Sequence, residues 1–320
     1  MSTRSLEIRL MTRRAQALAV ILVGVSFVAS GQIDSPRDVS SKTQIVILGT
    51  GTPSPEPDTM GPSIAIVVRG AAYIVDAVVG IVRRASAANR AGTRGLEMGN
   101  LRRIFITHLH TDHTIGLPDL IFTPWIMGRT APLEVWGPTG TAAMIDHIVQ
   151  AWSEDNDIRI NGLEHGNKTG SKVVPHEIQP GVVYQDANVK VTAFLVKHGS
   201  WKQAFGYRFD TPDRSIVLSG DTSPSESVSE ICNGCDVLMH EVYSLAGYAK
   251  RSEAWQKYSR DFHTDSNELA DLATKARPKT LILYHQMYFG GPKDTEAGLL
   301  GEIRTKYKGE VISARDLAVY

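Results

Sequence analysis

A β-rich run, Arg102-Arg103-Ile104-Phe105-Ile106-Thr107, ends directly in His108-Leu109-His110-Thr111-Asp112-His113. Three imidazoles and a carboxylate fall within six residues, although the whole chain holds only 10 histidines. A strand end leading into a tight turn can aim alternate side chains at one point. Neutral imidazole and carboxylate are good zinc ligands. The rival reading, a polar loop with histidines by chance, loses to the density of the cluster. A chain that carries this stretch must fold so that the strand end meets further donors from distant sequence.

The ends of the chain bound the rest. Arg4, Arg9, Arg13 and Arg14 precede an apolar run from Ala17 to Ala29, closed by small residues at Val28-Ala29-Ser30. That order describes a secretory signal peptide over 1–30, leaving a mature region over 31–320. The run falls short of the ~20 apolar residues of a membrane span, so no stable span is expected after cleavage. Export to the periplasm or beyond is the expectation. The formal charge of the full chain is zero, from 34 basic and 34 acidic residues. Removing four Arg and one Glu with the signal leaves a mildly acidic remainder, a net of about −3. An extensive nucleic-acid surface is therefore not expected. Cys232 and Cys235, the only cysteines, are read as a local disulfide or two inert thiols rather than a redox pair.

Hydrophobic patterning predicts strands at 44–49, 63–68, 72–76, 102–107, 132–137, 188–196, 204–209, 215–220, 237–242 and 280–285. Helices are predicted at 79–90, at 139–153 with Met144, Ile148, Ala151 and Trp152 on one face, and at 265–276. The last opens with Asp265 and Glu268 in capping-box spacing and carries Leu269, Leu272, Ala273 and Ala276 on its apolar face. Residues 154–187 read as an irregular, polar loop insertion. Runs of strands with helices between them predict two sheets face to face with helices outside, a four-layer αββα sandwich in one α/β domain.

The His cluster matches the H-x-H-x-D-H signature, and the chain resembles the metallo-β-lactamase superfamily over almost all of its mature length. Within it the similarity is to the ribonuclease Z-like branch, which includes zinc phosphodiesterases and arylsulfatases. His198 lies in Lys197-His198-Gly199 before Ala204-Phe205-Gly206-Tyr207-Arg208, as the branch's third-motif histidine does. Asp221 stands in Gly220-Asp221-Thr222 after a strand, and His285 ends the strand Thr280–His285. The resemblance implies two Zn2+, with Mn2+ or Fe as alternatives. One ion would be held by His108, His110 and His198, the second by Asp112, His113 and His285, with Asp221 bridging. Met239-His240-Glu241 resembles the branch's His-Glu-Ala-Thr motif, and Phe262-His263-Thr264 its His-Ser-Thr motif. His263 is then the implied general acid with Glu241 orienting it, Asp112 orients a metal-bridging hydroxide, and His240 is a buried strand residue. Asp76 matches the first-motif Asp that supports the His loop, though Ala77-Val78-Val79-Gly80 departs from the usual Cys-Gly-Glu-Gly.

The expected reaction is hydrolysis of a phosphodiester or aryl sulfate ester, on a small-molecule substrate. The alternatives are a β-lactam or lactone hydrolase and a ribonuclease Z-type tRNA 3′-processing endonuclease. The long basic arm of tRNA-cleaving members is missing where Tyr207-Arg208-Phe209 runs through Asp210-Thr211-Pro212-Asp213 into the next strand, and this weighs against tRNA. Trp125, Trp201 and Tyr288 are candidate pocket walls, each also explained by core packing. The oligomeric state is left open, with a homodimer among the readings.

Overall fold

Most strands of this protein are buried on both faces, which is why they read as unbroken apolar runs rather than alternating ones. The structure, a computed structural model, describes residues 42–290 and 294–320. The expected signal peptide over 1–30 lies outside them. The described residues group as one compact unit.

The first sheet runs in chain order: β1 (Gln44–Gly49), β2 (Ser63–Val68), β3 (Ala71–Val75), β4 (Arg103–Phe105), β5 (Leu133–Gly137) and β6 (Val173–Glu177). The second is built from β7 (Gly181–Gln185), β8 (Lys190–Leu195), β9 (Phe205–Asp210), β10 (Ser215–Leu218), β11 (Val237–Tyr243), β12 (Thr280–Met287) and β13 (Glu310–Ser313), again with sequential neighbours paired. Each sheet starts antiparallel and ends parallel: β3 to β6 in the first, β10 to β13 in the second. The helices are α1 (Ile81–Arg90), α2 (Thr111–Thr114), α3 (Leu117–Ile126), α4 (Thr141–Ala151), α5 (Ser153–Asn161), α6 (Glu226–Cys232), α7 (Leu245–Tyr248), α8 (Glu253–Phe262), α9 (Ser266–Ala276) and α10 (Glu296–Lys306). No helix among the described residues is long and apolar enough to cross a membrane.

Three apolar layers fill the gaps. Ile45, Ile47, Ile64, Ile66 and Phe105 of the first sheet meet Phe205, Tyr207, Ile216, Met239 and Ile282 of the second. The alternate residues of the first sheet, Val46, Leu48, Ala65 and Ile104, face the other way onto Ile81, Leu117 and Leu120 of α1 and α3. On the far side Val217, Leu238 and Leu281 pack on Leu269 and Ala273 of α9 and on Leu299 and Ile303 of α10. The period-2 alternation thus feeds a core on each side of a sheet, and the four-layer αββα arrangement follows.

The capping box is present: the Asp265 side chain accepts from the Asn267 and Glu268 backbone N–H groups, and Glu268 accepts from the Asp265 N–H. Leu269, Leu272, Ala273 and Ala276 are all buried on α9. Two expectations fail. Residues 154–187 are not an irregular loop, because they hold α5 and the edge strands β6 and β7. An edge strand pairs on one side and is largely exposed, so it carries no apolar run to read. Pro175 is tolerated there for the same reason. The expected 139–153 helix breaks at Trp152, and the face it buries is Thr141 and Ile145 with Met144 and Ile148 beside them. Ala151 and Trp152 are exposed instead, Trp152 resting against Phe122 at 5.5 Å. The two cysteines are bonded to each other at the end of α6.

Arg129 is the largest fully buried side chain. Pro124 has no N–H to give the Leu120 carbonyl four residues back. The Arg129 guanidinium donates to that carbonyl at 2.9 Å, and also to Leu101, Ile121 and Gly170 carbonyls at 2.7–2.9 Å. One side chain therefore ties α3 to the lead into β4 and to the loop before β6. Arg129→Met should leave several buried acceptors unpaired, at about 1–3 kcal/mol for each group that water does not reach. We expect chemical denaturation to show a loss of about 3 kcal/mol or more; a change under ~0.5 kcal/mol would contradict this account.

Candidate metal centre and active site

The site is assembled on the C-terminal ends of strands that parallel pairing brings level. Asp76 follows β3, the His cluster follows β4, Asp221 follows β10, and Glu241 and His285 lie near the ends of β11 and β12. His198 follows β8, which runs the same way as β10 because both are antiparallel to β9.

Local backbone aims these side chains. Asp76 and His285 are non-glycine residues in the left-handed region, with φ of 60° and 45°. That conformation costs of order 1–3 kcal/mol and persists only where the surroundings hold it. At His285 the pairing of β12 with β11 slips, two residues of β12 standing opposite one of β11, and such a bulge re-aims a side chain. Gly220 has φ of 63°, and a Cβ there would lie 2.6 Å from the Phe205 carbonyl and 3.2 Å from the Thr107 side chain. Only glycine lets the strand turn there and present Asp221.

Asp76 organises the His loop. Its buried carboxylate accepts from the Thr107 N–H at 2.8 Å and the Thr107 hydroxyl at 2.9 Å, and pairs with His113 Nδ1 at 2.7 Å. A proton of His113 is thereby placed on Nδ1, and Nε2 is the nitrogen turned toward the centre. His198 Nδ1 likewise faces the Phe262 carbonyl at 2.8 Å, which leaves its Nε2 free to accept. His108 Nδ1 lies 3.0 Å from the Thr107 hydroxyl oxygen, whose own proton goes to Asp76.

Two groups of donors result. His108 Nε2 and His198 Nε2 stand 2.9 Å and 3.1 Å from His110 Nδ1. His113 Nε2 lies 3.5 Å from Asp112 Oδ2 and 3.4 Å from Asp221 Oδ2, while His285 Nε2 lies 3.6 Å and 3.3 Å from the same oxygens. His108, His110 and His198 form one set able to hold a metal ion; Asp112, His113 and His285 form another. Asp221 also lies within reach of His108 and His198 and so stands between them. His113 Nε2, His285 Nε2 and Asp221 Oδ1 are buried with no hydrogen-bond partner. Buried polar atoms are nearly always paired, so orphaned donors converging on one point fit divalent cations. Among the described residues, the imidazole–carboxylate chemistry suits Zn2+ and similar ions.

Charge follows the same layout. Burial holds His108 well below the usual histidine range, and takes His198 down to about 4. Both are neutral imidazoles at neutral pH, the form that can hold a metal ion. Burial works against ionised Asp221, but His285 and His113 beside it outweigh burial and hold the carboxyl well below its usual range.

His263 ends α8 and shares this cavity. Burial brings it to about 4. Its Nδ1 lies 3.3 Å from Glu241 Oε1, but the two are not aligned as a hydrogen bond. Glu241 Oε1 instead accepts the backbone N–H groups of Thr222 and Thr264, each at 3.1 Å. It therefore pins the two loops that carry Asp221 and His263, and steers His263 through the backbone more than through the ring. His240 is fully buried, its Nδ1 2.6 Å from the Glu241 carbonyl.

The aromatic expectations divide. Tyr288 lines the cavity of about 530 Å3 above Asp112, Asp221, His263 and His285. Trp125 does not: it is a buried residue of α3 with its indole N–H on the Asn167 carbonyl at 2.8 Å, part of the outer helical layer. Trp201 touches the site from outside the cavity. Its N–H lies 2.9 Å from His110 Nε2, and its ring borders a separate hollow with Pro138 and Lys202. Sequence reading missed Arg251, Trp255, Tyr258 and Phe289, which form the opposite wall. The signal was present: Trp255, Tyr258 and Phe262 recur at helical spacing immediately before His263.

Comparison with known proteins gives the family. The model of the β-lactamase superfamily domain matches residues 72–286. The ribonuclease Z of Mycobacterium bovis is 30% identical over 278 residues, 86% of this chain and 96% of the relative. Among solved structures, the metallo-β-lactamase fold protein YhfI of Bacillus subtilis superposes with a TM-score of 0.66 at 18% identity, over 87% of this chain and 99% of that one. The short form of human tRNase Z superposes at 0.60 with 22% identity, over 87% and 98%. With its fold, its donor sets and these relatives in agreement, the chain belongs to the metallo-β-lactamase superfamily, as a ribonuclease Z-like, metal-dependent hydrolase.

Proposed function

We propose that the chain is a zinc-dependent phosphodiesterase of the ribonuclease Z type, cleaving phosphodiester bonds in nucleotide substrates. The observation that carries this reading is the joining of two donor sets and His263 in one cavity, in a chain 30% identical to a ribonuclease Z over 96% of that relative. The missing arm weighs against tRNA, and β9 does pass to β10 through a short turn closed by the Thr211 N–H on the Arg214 carbonyl. Against that weight stands the match itself, which covers 96% of a relative named ribonuclease Z. The aryl sulfate reading has no comparable support.

The roles follow from position. His108, His110 and His198 would hold one divalent cation, and Asp112, His113 and His285 the other, with Asp221 between. Bound there, such a pair lowers the pKa of water toward neutrality and offsets charge on the phosphoryl oxygens. Asp112 is the least buried of the carboxylates at the centre and is placed to orient the attacking water and take its proton. Burial leaves His263 unprotonated at neutral pH in the free chain; a substrate phosphate beside it would favour its charged form, and from its place in the cavity it would then hand a proton to the departing oxygen.

With zinc-loaded protein, bis-p-nitrophenyl phosphate and a tRNA precursor should be cleaved, and p-nitrophenyl sulfate and nitrocefin should not. Turnover of nitrocefin without either phosphodiester would overturn the reading. His263→Ala should keep two metals per chain by elemental analysis and lose about 10²–10⁴ in kcat, most with poor leaving groups. Loss of metal from this variant would assign His263 to the ligand set instead.

Export is a separate proposal, supported by the basic and then apolar pattern of residues 1–30. N-terminal sequencing of the protein from an exporting bacterial host should begin close after Ser30; a start at Met1 or Met11 in the soluble cell fraction would refute it.

A further inference from the structure

The cavity that holds Asp112, His263 and His285 is also lined by one cation held among aromatic rings. The Arg251 guanidinium lies 4.6 Å from the Trp255 ring centroid and 4.1 Å from that of Phe289. Both rings line the cavity that reaches Asp112 and Asp221. Among the described residues no carboxylate forms an ion pair with Arg251, whereas the neighbouring cation Lys257 on α8 is paired with Asp261. Stacking fixes the plane of a guanidinium while leaving its N–H edge free, and an edge of that kind suits phosphate oxygens. Trp255 is 53% exposed, which leaves part of its ring open to a ligand in the cavity.

The other side of the centre has the opposite sign. Beyond Thr52, Ser54 and Tyr288 the surface continues into a hollow bearing Glu56, Asp58, Asp294 and Asp316, where Glu296 is paired with Arg315 and the acidic groups still outnumber the basic ones. A substrate with a second negative charge is repelled there and attracted at Arg251. A cavity of about 530 Å3 lies in the ~300–1,000 Å3 range of small-ligand pockets, so it has room for more than the scissile phosphate.

We propose that Arg251, held between Trp255 and Phe289, is a specificity-determining residue that binds a second phosphate of the substrate, next to the one being cleaved. This rests on the phosphodiesterase reading and adds a preference to it: nucleotide diesters with an adjacent phosphate over those without.

The test uses zinc-loaded full-length enzyme and two chromogenic substrates that differ in one group. These are the p-nitrophenyl ester of thymidine 5′-phosphate and the same ester carrying an additional 3′-phosphate. The wild type should show a KM about tenfold lower for the second compound with similar kcat. Arg251→Gln should erase that ratio by raising the KM of the bisphosphate, and Arg251→Lys should restore part of it. Lys257→Ala, which alters a paired charge off the cavity, should keep the full ratio. A wild-type ratio near one overturns the proposal without any variant being made. So does a ratio that survives Arg251→Gln, or one that Lys257→Ala abolishes equally, which would indicate only general charge attraction. If the wild type cleaves neither ester nor bis-p-nitrophenyl phosphate, it is the phosphodiesterase reading itself that fails.

Discussion

The buried Asp76 carboxylate is the interaction on which the centre depends. It receives the backbone and hydroxyl of Thr107 and the Nδ1 side of His113. Burial lifts this carboxyl above its usual range, with His113 opposing; His113 in turn is held well above its own range by Asp221 and Asp76 despite burial. His113 Nδ1 therefore keeps its proton, directed at Asp76. Its placement turns His113 Nε2 toward Asp221, fixes the end of β4, and orders His108 through the Thr107 hydroxyl. The strained backbone of Asp76 is sustained by these same bonds.

The sheet topology gives that local device its reach. Donors spread from His108 to His285 meet because parallel pairing levels the C-terminal ends of their strands. The apolar layers on both faces of each sheet make the levelling rigid, since a slip of one residue would turn every buried side chain to the wrong layer. Where precise aim is needed the regular pattern is broken locally, by the bulge at His285 and by the turn at Gly220. Glu241 works in the same spirit, gripping the backbone beside Asp221 and beside His263 so that two loops from different strands keep one spacing.

Much of this was legible in the residues, for a physical reason. The His cluster is contiguous, strands buried on both faces are strongly apolar, and the box at Asp265 and Glu268 is a local hydrogen-bonding pattern. What escaped was weakly patterned or non-local. β6 and β7 are edge strands with little apolar signal. Trp125 looked like a pocket wall because it follows the His cluster, yet a helix of ten residues carried its ring into the outer layer beside Arg129. The absent arm argued against a ribonuclease, yet a relative of that name matches this chain over 96% of its own length.

The sequence by itself determined the donor chemistry, the order of the motifs and the layered fold, because ligand type and apolar periodicity are properties of short stretches. Only the tertiary structure decided which imidazole nitrogen is free, that Glu241 acts through two backbone loops, and that Arg251, Trp255 and Phe289 face the centre across one cavity. Those are matters of which surfaces meet. They depend on strand ends and helices separated by tens to hundreds of residues, and no local pattern records them.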